Sequence, residues 1–374
     1  MKSDWDFRPL GAVCEVLDHL RKPVTKKDRL PGPYPYYGAT GIVDYVGDFL
    51  FDEPLVLIGE DGAKWGSGDA TAFAITGPSW VNNHAHVVRP DRANVLDEWL
   101  VHYLVHQDLS RYVSGLTVPK PNQGSLREIP IPLPALSEQR RIVAILDEAF
   151  EGIATAKAHA EQNIRSAQSL FGSYMQAALK RSGEGWIEKP LGDIGKVSMC
   201  KRIFKEQTRS RGDIPFYKIG TFGKKADAYI PIEIYSEYRR KYPFPNKGDV
   251  LISAAGTIGR CVVYDGEDAY FQDSNIVWIA NDQTQVLNHY LYHFYSSCEW
   301  SSTRGATISR LYNDNLRQLV VTFPNSLHEQ HRIATQLDDL AGDTQRLESI
   351  CREKLFALDE LKQSLLHQAF SGQL

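Results

Sequence analysis

The side chains best suited to reading a polar ligand fall in two sets of loops, one in each half of the 374-residue chain. The first set holds Asn82, Asn83, His84, Lys120, Asn122, Gln123 and Ser125. The second holds Lys218, Lys224, Gln272, Ser274, Asn275, Arg310, Asn313 and Asn315. Asn and Gln amides match the donor–acceptor pair on an adenine edge, and Arg or Lys matches the two acceptors of guanine. Tyr37, Lys64, Thr257 and Arg260 stand in neighbouring aromatic and polar turns and join the candidate set. Each half also carries a run of cations: Arg21, Lys22, Lys26, Lys27 and Arg29, then Lys196, Lys201, Arg202, Lys205, Arg209 and Arg211. One charge run describes a solvated face. Two runs at matching places supply the clustered cations that phosphate contacts require, although the net charge is −4.

Residues arranged for catalysis are scarce. The chain has no Pro-Pro dipeptide, so the Asp/Asn-Pro-Pro-aromatic loop of amino-methyltransferases is absent. Gly66-Ser67-Gly68 reads as a turn, and no phosphate-binding Gly-x4-Gly-Lys-Ser/Thr loop exists. Asp147-Glu148-Ala149-Phe150 resembles a helicase box but falls inside a helical pattern, as does Glu360-Leu361-Lys362. His84 and His86 alternate on an expected strand and lack a third metal ligand nearby in sequence. Five cysteines, at 14, 200, 261, 298 and 351, form no C-x-x-C pair, and no metal site is expected.

The elements that must position these loops are legible because they occur twice. Leu136-Ser137-Glu138-Gln139-Arg140-Arg141-Ile142 returns as Leu327-His328-Glu329-Gln330-His331-Arg332-Ile333, and the register then holds to Ala178-Leu179 against Ala369-Phe370. Apolar or small residues recur at three- and four-residue spacings from 142 to 178 and from 333 to 369, which predicts two long amphipathic helices. Ahead of each lie short β-rich runs broken by Gly and Asp, with Leu55-Val56-Leu57-Ile58-Gly59 answered by Asp249-Val250-Leu251-Ile252-Ser253. Shorter helices are expected from about Leu96 to Arg111 and from about Leu287 to Ser301. Ser326 and Glu329 offer a capping box, and Gly183 and Gly372 lie just past the helix ends. The expected class is mixed α and β, with globular parts at 1–135 and 186–325 and helical regions at 136–185 and 326–374. Each long helix has one apolar stripe, so the two are expected to pair with each other as an antiparallel coiled coil; pairing between chains is the competitor. Such a rod would act as a ruler between two recognition surfaces.

Composition places the chain among ordinary globular proteins, with 24% charged and 43% hydrophobic residues. No stretch approaches a membrane span or a signal peptide, so a reducing cytoplasm is the expected location.

The doubled Leu-x-Glu-Gln-x-x-Ile motif after a proline, with the closing Leu365-Leu366-His367-Gln368-Ala369-Phe370-Ser371-Gly372-Gln373-Leu374, resembles the specificity subunit of type I restriction-modification systems. The resemblance spans the whole chain. It implies two target recognition domains and a bipartite target in double-stranded DNA, one half-site per domain. It implies partners: two modification subunits that methylate adenine N6 with S-adenosylmethionine, and restriction subunits that use ATP and Mg²⁺. This chain would itself hold no cofactor and catalyse nothing. The copies differ where His331 replaces Arg140, which makes the charge there pH-dependent in one copy only. From the residues alone, a scaffold that assembles other proteins and an enzyme with an unfamiliar site stay open.

Overall fold

The computed structural model describes residues 5–115, 119–298, 300, 303–304, 309–311 and 313–374, with 303, 304, 309 and 310 described by backbone only. The chain divides into two compact units, Met1–Glu161 with Cys351–Leu374, and Gln162–Ile350.

In the first unit an antiparallel sheet runs in the order Cys14–Val16, Ala85–Pro90, Leu55–Gly59, Ala72–Ile75. Leu55–Gly59 is buried throughout because both its faces are covered. With side chains alternating along a strand, Val56 and Ile58 enter one core cluster while Leu55 and Leu57 enter another. A second sheet has the order Gly41–Val46, Tyr34–Gly38, Pro78–Val81, Phe51–Asp52. Asp6–Pro9 pairs with Pro130–Leu133, which closes the domain on itself. Helix α1, Asp97–His106, packs Trp99, Leu100 and Leu104 onto the first sheet. Helix α2, Leu136–Leu179, adds Ile142 and Leu146 to that core.

The second unit repeats this plan. Its sheet runs Gly195–Ser198, Ile276–Asn281, Val250–Ser253, Cys261–Val263, and Trp186–Pro190 pairs with Val320–Pro324. Its other sheet joins Ala228–Ile230, Ile214–Tyr217 and Tyr270–Phe271. Helix α3, Ile232–Lys241, stands where the first unit has β-structure and was not expected. Helix α4, Asn288–Ser297, is the counterpart of α1, and helix α5, Leu327–Ser371, of α2. Both α1 and α4 are shorter than expected. After α1, Asp108 accepts from the Ser110 amide and starts a separate turn; after α4, Cys298 is extended.

The long helices run antiparallel, as expected. In the first unit Arg141 reaches the Leu374 carbonyl and Lys157 pairs with Asp359 at 2.7 Å. In the second, Gln168 bonds Glu348 and Tyr174 bonds Gln336. Leu366, Ala369 and Phe370 from the end of α5 close the first core, and Ala178 and Leu179 from the end of α2 close the second.

The repeated helix-start motif has a physical reason. Gln139 is fully buried; its Oε1 accepts from the Leu96 amide at the head of α1, and its Nε2 donates to the Asn94 and Pro134 carbonyls. Gln330 repeats all three bonds with the Leu287 amide and the Gln285 and Pro324 carbonyls. Each glutamine thus ties the start of a long helix to the helix of the domain before it. The capping box is only half formed. Ser326 accepts from the Glu329 amide, but the Glu329 carboxylate turns to Arg332, as Glu138 turns to Arg141.

Candidate nucleic-acid interface

In the first unit the expected reading residues converge on a pair of carboxylates. Asp18 accepts from His86 Nδ1 at 2.6 Å, the Val87 amide at 2.9 Å and Gln123 Nε2 at 2.8 Å, with Arg21 at 3.3 Å. Glu60 faces Arg21 at 2.6 Å and Lys120 at 2.8 Å. The other His86 nitrogen lies 3.0 Å from the Pro121 carbonyl, so the ring faces an acceptor on each side. His84 pairs with Asp61, and Asn82, itself buried, accepts from the His84 amide. Arg21, Lys120, Gln123, Asn82 and His84 therefore hold loops together. Asp18, Glu60 and His86 lie close enough to share an ion, which sequence spacing did not suggest. Each carboxylate already faces a cation, so the cluster stands without one.

Exposed positions tell a different story. Lys22, Lys26, Lys27, Lys64 and Asn83 point into solvent. Lys22 borders a hollow of about 480 Å³ with Asp28, Arg29 and Trp80. Tyr37 is half-buried against Phe73, and its main chain bonds Asn82.

In the second unit the expected residues gather in two hollows. Arg202, Gln272, Ser274 and Asn275 line one of about 240 Å³, where Arg202 is paired with Asp273 at 2.9 Å. Lys224, Thr257 and Arg260 line another of about 220 Å³. Arg260 donates to the Phe222 carbonyl, Gln272 accepts from the Ile219 amide, and Lys218 pairs with Asp227. Ser274 holds a left-handed backbone, with φ 60°, at the loop tip. Lys201, Lys205 and Asn313 are exposed, and Lys201 lies over the Tyr242 ring. Arg310 belongs to a strand pair with Thr303–Arg304, and its side chain is outside the described residues.

The two units differ most at the carboxylate cluster. Ile58 pairs with His86 across the first sheet, and Ile252 pairs with Val277 at the same place in the second. The matching positions for Glu60 and Asp18 are Ala254 and Met199. Burial opposes ionisation of Asp18, but His86, the Val87 amide and Arg21 outweigh it and hold its carboxyl below the usual range. Burial likewise opposes ionisation of Glu60, and the Lys120 and Arg21 bonds reverse it. A carboxyl depressed by folding adds stability that is complete above its unfolded pKa, about 4, and is lost as pH falls toward the folded value. Acidification below about pH 4 is therefore expected to weaken the first unit more than the second. Hydrogen exchange followed for each unit across that range checks this, and equal losses would refute it.

Two copies of one α+β module, each presenting cations and amides on loops and each tied to paired helices, define a tandem recognition protein. The family described as type I restriction modification DNA specificity domain matches the chain twice, over residues 2–165 and 183–355. A Haemophilus influenzae protein assigned as a type I restriction enzyme specificity subunit, S.HindORF215P, is 46% identical over 340 residues, covering 90% of this chain and 87% of that one. The StySPI specificity subunit of Salmonella potsdam is 24% identical over 71% of this chain and 62% of its own length. The fold is shared with a chain from a solved type I R-M system, at a TM-score of 0.75, 19% identity and coverage of 100% of this chain and 99% of that one. It is also shared with the HsdS subunit of Thermoanaerobacter tengcongensis, at 0.59, 18%, 100% and 98%. The chain belongs to the type I restriction-modification DNA specificity family.

Proposed function

We propose that this chain is the non-catalytic, sequence-reading subunit of a type I restriction-modification complex. It reads a bipartite target in double-stranded DNA, one half-site per unit, with the paired helices setting the gap. Two modification subunits join it and methylate adenine N6 with S-adenosylmethionine; restriction subunits add ATP- and Mg²⁺-dependent translocation and cleavage. Those cofactors belong to the partners. The complex works in the cytoplasm, and none of the described helices is long and apolar enough to cross a membrane.

The observation that carries this reading is one frame with two loop chemistries. The first unit sets an ionic cluster of Asp18, Glu60, His86, Arg21 and Lys120 beneath its loops, where the second has Met199, Ala254 and Val277. A duplicated frame with altered loops suits two unlike half-sites. Apolar side chains left exposed on the long helices, Leu170, Ile350, Phe356 and Leu361, suit docking by partner subunits.

Adenine-methylation mapping of DNA from cells expressing this chain with its modification subunit is the test. A two-part methylated motif with a fixed gap is expected. A single continuous motif would mean that only one unit reads DNA, and no methylation by an assembled complex would favour a scaffold.

A further inference from the structure

We infer that the second unit carries a binding site for a zinc-class divalent metal, formed by His289 and His293 of α4 and Asp338 of α5. His289 and His293 are one helical turn apart, a spacing that puts both imidazoles on one face. Asp338 spans them: its Oδ2 lies 2.6 Å from His289 Nε2 and its Oδ1 2.9 Å from His293 Nε2. All three ligand atoms lie within 4.8 Å of one another. Two imidazoles and a carboxylate form a borderline-soft set that suits zinc, with one coordination position left for water.

A His–Asp ion pair is the plainer explanation, and two observations go beyond it. His293 is only 3% exposed, and its Nε2, though 2.9 Å from Asp338 Oδ1, has no well-aligned hydrogen-bond partner among the described residues. Coordination would give this buried nitrogen the directed partner that the carboxylate does not. The second observation is the repeat. The first unit keeps the pair as His102 and Asp147, bonded at 2.8 Å, but has Glu98 where the second has His289 and Arg140 where it has His331. The His331 ring lies 5.9 Å from that of His289. The ion pair thus exists in both units, while the second imidazole ligand and its histidine neighbour exist only in the second.

Coordination uses an unprotonated nitrogen on each ring together with an ionised Asp338. The ion would clip α4 to the first turns of α5, close to the bonds that Gln330 makes. None of this depends on the DNA reading proposed above.

The test uses the full chain, dialysed against micromolar free zinc, with cobalt as a spectroscopic probe. One zinc per chain is expected, with a four- or five-coordinate cobalt spectrum and a raised unfolding temperature for the second unit only. H289Q combined with H331R removes one imidazole without adding a carboxylate that could take its place on zinc, and His289 is only half-buried, so the variant should fold. It should weaken zinc binding by at least about 100-fold, whereas H102Q should leave binding unchanged. If wild type retains no zinc, or if the double variant retains as much, the site does not exist.

Discussion

Gln139→Leu lowers the stability of the first unit by about 2–4 kcal/mol, since it leaves one buried and two part-buried backbone groups without their partner, at up to about 2 kcal/mol for the buried one and about 1 kcal/mol for each of the others. Leucine has a similar volume, so loss of packing does not explain the effect. What is lost is the bond to the Leu96 amide and the two bonds to the Asn94 and Pro134 carbonyls. That sum is a large part of the margin of about 5–15 kcal/mol by which an ordinary domain is stable. Gln330→Leu does the same to the second unit through Leu287, Gln285 and Pro324. Thermal unfolding of the two variants should lower one transition each, by roughly 2–4 °C per kcal/mol. A change below about 1 kcal/mol in either variant would mean that water replaces the glutamine and that the motif is kept for another reason.

Lys26→Ala with Lys27→Ala should weaken DNA binding by about 30-fold at 0.15 M salt, since each lost phosphate contact costs about 5-fold there. The slope of log affinity against log salt should become shallower by roughly 2. Both lysines are exposed on the short turn Lys26–Asp28, so their removal should leave folding intact. Arg21, five residues earlier in the same basic run, should behave in the opposite way. It faces both Asp18 and Glu60, and Arg21→Ala should cost stability, by about 3–5 kcal/mol for breaking a buried pair. Affinity measured across a salt series, alongside a melting curve for each variant, separates the two roles. An unchanged salt slope for the lysine pair would show that this run is a solvated face.

These residues mark where sequence reasoning reached its limit. The long helices were legible because each carries the same repeated amphipathic stripe, and the buried Ile142, Leu146, Ile333 and Leu337 bear it out. The strands answering each other at Leu55–Gly59 and Val250–Ser253 were legible for a similar reason, as apolar runs bounded by turn residues. Helix α3 was not, since Ile232–Lys241 is a short polar helix with only Tyr235 buried. Loop residues were legible as types. Lys120 and Lys27 look alike in sequence, yet one is paired with Glu60 and the other faces solvent.

By itself the sequence determined the duplication, the mixed α and β class and the two long amphipathic helices, because each is written in motifs and periodicity along the chain; that the helices pair within the chain was decided by the tertiary structure. The tertiary structure decided which charges are spent inside and which remain on the surface. Asp18, Glu60, His86 and Lys120 come from four separate parts of the chain, as do His293 and Asp338 from two. Coulomb and hydrogen-bond energies depend on distance in space, and distance in space between remote segments is set only when the core closes.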